Sequence, residues 1–273
     1  VTYVEQFGDY PHFVEAVQKC RANNTPVVVV PVGRSESARN AALGHTGAIT
    51  TTGAVSQAAV EAAGAIYAPT IDEALDRASM FSAINQRSWR PVRSAAVISI
   101  SGGWSALAAD TLADEGIATP PLPESVTSKL PAHVENVTFN NPFDITAQLY
   151  AWSEAYFDIV DEMCQAEEFD AVTVMFGNWD GGERFYAPVS GWAGRLKKPI
   201  FASSIESTAI KETYREWVKH DPMPMVNGGV TMARGLAAMR DYFDKPGYLP
   251  EGWCSDETTA WGGAEIATYP EMA

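Results

Sequence analysis

The chain has 273 residues and carries 34 acidic against 19 basic side chains, a formal charge of −15. That balance disfavours a nucleic-acid or anionic-membrane surface, and no apolar run reaches the roughly 18 residues a membrane span needs. One large or two ordinary domains can bury a core at this length; the widely spaced Cys20, Cys164 and Cys254 suggest neither a disulfide framework nor a zinc site, and point to a reducing, cytoplasmic setting.

Short β-branched runs alternate with longer helical stretches, the signature of parallel α/β units. The opening, Val1-Thr2-Tyr3-Val4-Glu5, already reads as a strand over Thr2–Val4, so the chain looks like a piece of a longer polypeptide. A helix is predicted over Tyr10–Arg21, then a near-continuous apolar strand, Val27–Val32, of the kind buried on both faces. A Gly/Ser/Arg-rich loop holding Gly44-His45-Thr46-Gly47-Ala48 follows, then a helix over Gly53–Ala63 ended by Gly64. Thr70 caps a further helix, Ile71–Ile84. Residues 86–94, with Arg87, Arg90, Pro91 and Arg93, read as an inter-domain connection.

A second α/β unit then starts afresh. Ala95–Ile100 is a strand, Gly102-Gly103 the turn and Ser105–Glu115 a helix ended by Gly116. A helix at Glu154–Gln165, strands at Ala171–Phe176 and Pro199–Ala202, a helix around Glu206–Lys219, a strand at Met223–Val226 and a helix at Thr231–Asp244 complete it. Strand-like runs with intervening helices suggest a flavodoxin-like open sheet. From Lys245 onward Pro, Gly, Ser and Thr break all periodicity, as in a tail or linker.

His45 draws attention first. A loop histidine ordinarily caps a helix or bonds a carbonyl, but this one lies in flexible polar backbone beyond a strand's C-terminal end, where open α/β sheets bind ligands. Its neutral imidazole is a competent nucleophile. Glu5, ending the opening strand, is either a solvated turn carboxylate or the acceptor that fixes the tautomer of His45. Ser101-Gly102-Gly103-Trp104-Ser105 opens a helix after a strand. Its amides suit an anion, although a Gly pair also serves a plain tight turn. Neither a dinucleotide fingerprint nor a P-loop is present. Asn140-Asn141-Pro142-Phe143-Asp144-Ile145-Thr146 is a polar turn cluster. Residues 177–185 form an aromatic and acidic loop in which Trp179 either packs on its neighbours or, with Trp104, walls a site for an aromatic or cationic organic acid. No metal-ligand set stands out.

Taken together these segments resemble the NDP-forming acyl-CoA synthetases, the superfamily of succinyl-CoA synthetase and ADP-forming acetate–CoA ligase. The resemblance is carried by Tyr3-Val4-Glu5, Pro26 to Ser35, Gly44-His45-Thr46-Gly47-Ala48, Ala62-Ala63-Gly64, Ser101-Gly102-Gly103, Leu107-Ala108-Ala109-Asp110 and Asn141-Pro142-Phe143-Asp144-Ile145-Thr146. It implies two consecutive flavodoxin-like parallel-sheet domains, at 1–90 and 91–245, the first incomplete at its N-terminus, with 246–273 as linker or tail. It implies that His45 becomes transiently phosphorylated, that Glu5 holds it, and that Gly102, Gly103, Trp104 and Ser105 cradle the phosphoryl group. Asn141, Asp144 and Trp179 are the candidate substrate contacts.

The reaction so implied joins a carboxylate to CoA with cleavage of ATP or GTP, through an acyl phosphate and a phosphohistidine. The CoA-binding and ATP-grasp domains, the latter with Mg²⁺, are absent from the sequence, and would come from partner domains or subunits in an oligomer. The first strand and helix of the histidine domain are absent too. The Gly-Gly-Trp turn also places a bulky indole where the resemblance calls for smaller residues. A rival reading is a non-catalytic acyl-CoA-sensing module of a fused protein acetyltransferase, which would have no need of His45 and Glu5; a flavin-binding domain is a third.

Overall fold

The computed structural model describes residues 1–46, 53–83, 89–130, 139–146, 153–176, 188–189, 191, 198–204 and 223–248. The first part contains β1 (Thr2–Val4), α1 (Tyr10–Ala22), β2 (Val28–Pro31), α2 (Glu36–Thr46), α3 (Gly53–Ala62), β3 (Ile66–Tyr67) and α4 (Ile71–Ala83). The second contains β4 (Ala95–Ser99), α5 (Gly102–Asp114), α6 (Glu124–Thr127), β5 (Phe143–Asp144), α7 (Ser153–Gln165), β6 (Ala171–Phe176), β7 (Ile200–Ser204), β8 (Met225–Asn227) and α8 (Gly228–Asp244).

Two parallel sheets result. One has the order β1-β2-β3, with Val4 opposite Pro31 and Val29 opposite Tyr67. The other has the order β5-β4-β6-β7-β8, which is 2-1-3-4-5 counted along the chain, the flavodoxin-like winding. Strand order reverses at β4, flanked by β5 and β6, so the C-terminal end of β4 is the switch point where such sheets take ligands. No described helix is long and apolar enough to cross a membrane.

Burial explains the elements. All residues of β2 and of β4 are buried, as expected of parallel strands covered on both faces. One apolar cluster runs through both sheets: Val28, Val30 and Ile66 from the first, Val97, Phe201 and Val226 from the second, with side chains of α4, α5 and α8 between them. In α8, Gly235 leaves room for the thioether end of Met80 of α4, which a Cβ there would displace.

Several expectations need amendment. Gly102-Gly103 is the first turn of α5 and not a turn before it. The backbone around His45 is helical through Thr46, because Ser35 caps an Ala-rich run: its Oγ accepts the N–H of Ala38 at 3.2 Å. The connection after α4 is packed: Val92 is fully buried, and Trp89 meets Phe81 and Tyr242 edge-on at 6.3 and 6.4 Å. The chain after α8 is tied down at its start, since Gln18 Nε2 donates to Pro246 O at 2.9 Å and Tyr248 N–H to Ala62 O at 3.0 Å. The helix expected over 206–219 lies outside the described residues.

Candidate active site at the strand ends

Because every described strand pair is parallel, each sheet gathers its strand C-termini on one edge. On the first sheet, Glu5 follows β1 directly, and Val4 O accepts the N–H of Val32 at 3.0 Å, which keeps the two exits side by side. Gly33, at φ +77°, turns the chain there, a backbone state that favours glycine. Arg34 then lies across the edge: Nη1 donates to Tyr67 Oη at 3.2 Å, beyond β2 and at the end of β3. Its Cβ is 3.2 Å from the position of a Cβ on Gly53, the first residue of α3. The chain therefore leaves this edge at Ser35 and returns to it at Gly53.

His45 sits in the last turn of α2, between those two anchors, nine residues on from Glu36 and about 14 Å from it along the helix axis. Its side chain, and residues 47–52, lie outside the described part. Glu5 is half-buried and engaged by neighbours. A cleft of about 450 Å³ opens against Arg34, Ser35, Ala38 and Pro69.

On the second sheet, the structure brings together Gly102 and Asp144, which the sequence kept 42 positions apart. A Cβ on Gly102 would lie 2.9 Å from Asp144 Oδ2, so a larger residue there would displace the carboxylate. Asp144 Oδ1 accepts the Thr146 N–H at 2.8 Å, and Thr146 takes φ +57° to make that bond. The carboxylate thus sits beside the first turn of α5. The helix dipole favours an anion in that place, and Asp144 opposes a second one. Gly102 and Gly103 are exposed, the indole of Trp104 packs on the core, and Ser105 is buried with no partner for Oγ among the described residues.

Asn141 serves the backbone. Its Oδ1 accepts the Val97 N–H at 2.9 Å, while Nδ2 donates to Ala95 O at 2.8 Å and to Pro120 O at 3.0 Å. Its amide prolongs the ladder of β4 where the two-residue β5 stops short. Trp179 lies outside the described residues. Sequence reasoning missed the Arg34–Tyr67 contact, although Gly33-Arg34-Ser35 after an apolar strand was the available signal. It also missed Asp76 on α4, whose Oδ2 accepts the Asn227 N–H at 3.1 Å and so closes the end of α8 that the side chain of Asn227 does not cap. Burial pushes the Asp76 carboxyl up, against the Asn227 N–H bonds and with help from the charges of Asp72 and Glu73.

Residues 1–81 match the family model described as the succinyl-CoA ligase like flavodoxin domain. Among curated relatives, a trans-feruloyl-CoA synthase of an unknown prokaryotic organism is 26% identical over 245 residues, 88% of this chain and 34% of the relative. The alpha subunit of ADP-forming acetate–CoA ligase II of Pyrococcus furiosus is 28% identical over 169 residues, 62% of this chain and 35% of that subunit. The chain spans about a third of the length of these relatives. Among solved structures, the dinucleotide forming acetyl-coenzyme A synthetase 1 of Ca. Korarchaeum cryptofilum, in complex with phosphate and ADP, superposes with a TM-score of 0.71. It is 23% identical, and the match covers 90% of this chain and 53% of that one, a likeness of fold.

Proposed function

We propose that this chain, a partial homologue of the ADP-forming acetate–CoA ligases, is the phosphoryl-relay part of an acyl-CoA ligase. In this reading a nucleoside triphosphate phosphorylates an imidazole nitrogen of His45 and leaves as the diphosphate. A carboxylate oxygen then takes the phosphoryl group from His45, giving an acyl phosphate, and the thiol of CoA displaces inorganic phosphate to form the thioester. Glu5 accepts the N–H of the other imidazole nitrogen and offsets the charge on the phosphorylated ring. The first-turn amides of α5, at Gly102 and Gly103, stabilise the transferring oxygens. CoA and nucleotide bind on domains or subunits outside this chain, and Mg²⁺ accompanies the nucleotide there.

The observation that carries this reading is the excursion from Ser35 to Gly53, rooted at both ends on the edge that also bears Glu5, within the residues matched to the succinyl-CoA ligase like domain. The acyl-CoA-sensing alternative gains nothing from the relatives reported above, which bear the names of ligases and synthases. The feruloyl-CoA synthase makes aromatic acids the first substrates to screen, with Trp179 as the side chain proposed to select them.

The decisive experiment supplies the partner domains as separate polypeptides, adds NTP labelled at the γ-phosphate, and follows acid-labile, base-stable label on the chain. His45→Ala is expected to abolish labelling with the circular dichroism unchanged. Glu5→Gln is expected to slow it roughly ten- to a hundredfold. Undiminished label on the His45→Ala chain would overturn the mechanism.

A further inference from the structure

A second recess carries no role in that chemistry. It is a trough of about 410 Å³ along the free edge of β3, walled by α3, α4 and α8. The N–H groups of Ile66 and Ala68 donate to Val27 O and Val29 O of the neighbouring strand, at 2.8 and 2.9 Å. Strand alternation therefore turns the peptide groups of Tyr67 toward the trough, and there its carbonyl accepts from Arg77 Nη1.

Arg77 is more than nine-tenths buried, and its Nε has no acceptor among the described residues. That nitrogen is sealed from the trough, so what a ligand there can reach is the partly exposed Arg234 and the rest of the Arg77 guanidinium that lines it. Its one carboxylate is shared: Glu73 Oε2 lies 3.0 Å from Arg77 Nη2, and Glu73 Oε1 lies 3.1 Å from Arg234 Nη1. The other carboxylates of the wall are already engaged. Glu115 faces Arg234 Nε at 3.4 Å, Asp241 takes Lys245 and Arg240 at 2.8 Å each, and Glu61 takes the Gln57 amide at 2.8 Å. Two guanidiniums present ten N–H groups at this end, against few free acceptors. The remaining wall is apolar, with Ile66, Ala237 and Ala238, and the volume suits a small organic molecule.

We propose that this trough binds a small organic oxyanion, a carboxylate or phosphate group on an apolar body. Its charged head rests on Arg77 and Arg234, and its body lies along β3 over Ala237 and Ala238. Such a ligand touches β3 of one sheet and α8 packed on the other, so it acts by holding the two sheets together and not as a reactant. Of the residues that line the cleft near Arg34, Pro69 alone also lines the trough, and the proposal does not depend on phosphoryl relay.

The test is calorimetric titration of the purified chain with three probes: inorganic phosphate, benzoate and phenyl phosphate. Saturable one-to-one binding of benzoate or phenyl phosphate is expected, tighter than for inorganic phosphate, and the better of the two identifies the head group. Ala238→Trp, which fills the trough, is expected to abolish that binding, and Arg234→Gln to weaken it about tenfold. Both variants lie outside the residues assigned to His45 chemistry, so their effect reports on the trough alone. The proposal fails if neither organic probe saturates up to ~10 mM, or if both folded variants bind as the parent does.

Discussion

The two sheets solve different problems with the same strand type. The five-stranded sheet is sealed: β4 is wholly buried, and Phe201 of β7 has no exposed surface. The three-stranded sheet is open on one side, where Tyr3 of β1 is 61% exposed, and it sends the His45 excursion out from its edge. The helices α4 and α8 join them through one core. The contrast teaches that a sheet buried on both faces and one left open on a face can share a single core.

The strongest way to break that contrast is Phe201→Ala, expected to cost about 3–5 kcal/mol in urea unfolding and to lower the stability of both sheets in one transition. Separate transitions would show that the common core does not couple them. Next comes Gly64→Ala. At φ +82°, with Pro246 O only 2.3 Å from the new Cβ, the substitution is expected to cost roughly 2 kcal/mol. A neutral result would remove the clamp between the α3–β3 turn and the segment after α8.

Asp76 sharpens the comparison at the joint itself. Burial raises its folded carboxyl pKa, so the native state binds this proton more tightly than the unfolded chain does. Its contribution to stability therefore falls as pH rises from about 4, the ordinary carboxylate value, through the raised one. Asp76→Asn keeps an oxygen for the Asn227 N–H and is expected to flatten that slope in denaturation curves taken across the range. Equal slopes in the two proteins would exonerate Asp76. The smallest effect is expected for Tyr3→Ser on the open sheet, within about 0.5 kcal/mol by the same assay; a larger loss would mean that β1 is covered in solution.

Much of this contrast was legible in the residues. Continuous apolar runs marked β2, β4 and β6 because strands buried on both faces leave no room for alternation, and Thr70 marked the start of α4, where its Oγ1 accepts the Glu73 N–H at 3.2 Å. The two-residue β3 and β5 were not legible, since periodicity needs more residues than either supplies. At the site, Gly102 was read as a turn or an anion cradle, and its close approach to a carboxylate 42 positions later was not legible. Asp76 and Asn227 meet across 151 positions, and no local pattern announces such a pair. Local chemistry showed in the sequence; long-range pairing did not.

The joint also has a consequence for how the chain comes to be folded. Arg21 of α1 lies with its guanidinium 3.9 Å above the ring of Tyr242 and donates to the Gly64 and Tyr242 carbonyls at 2.9 and 2.6 Å. The contact spans 221 positions, so a helix of the first sheet is fastened to one that is synthesised much later. At ordinary translation speeds of ~10 residues per second, β1 to β3 wait some twenty seconds for α8 before their edge can be closed. During that interval the nascent sheet is the part most in need of shielding from other chains.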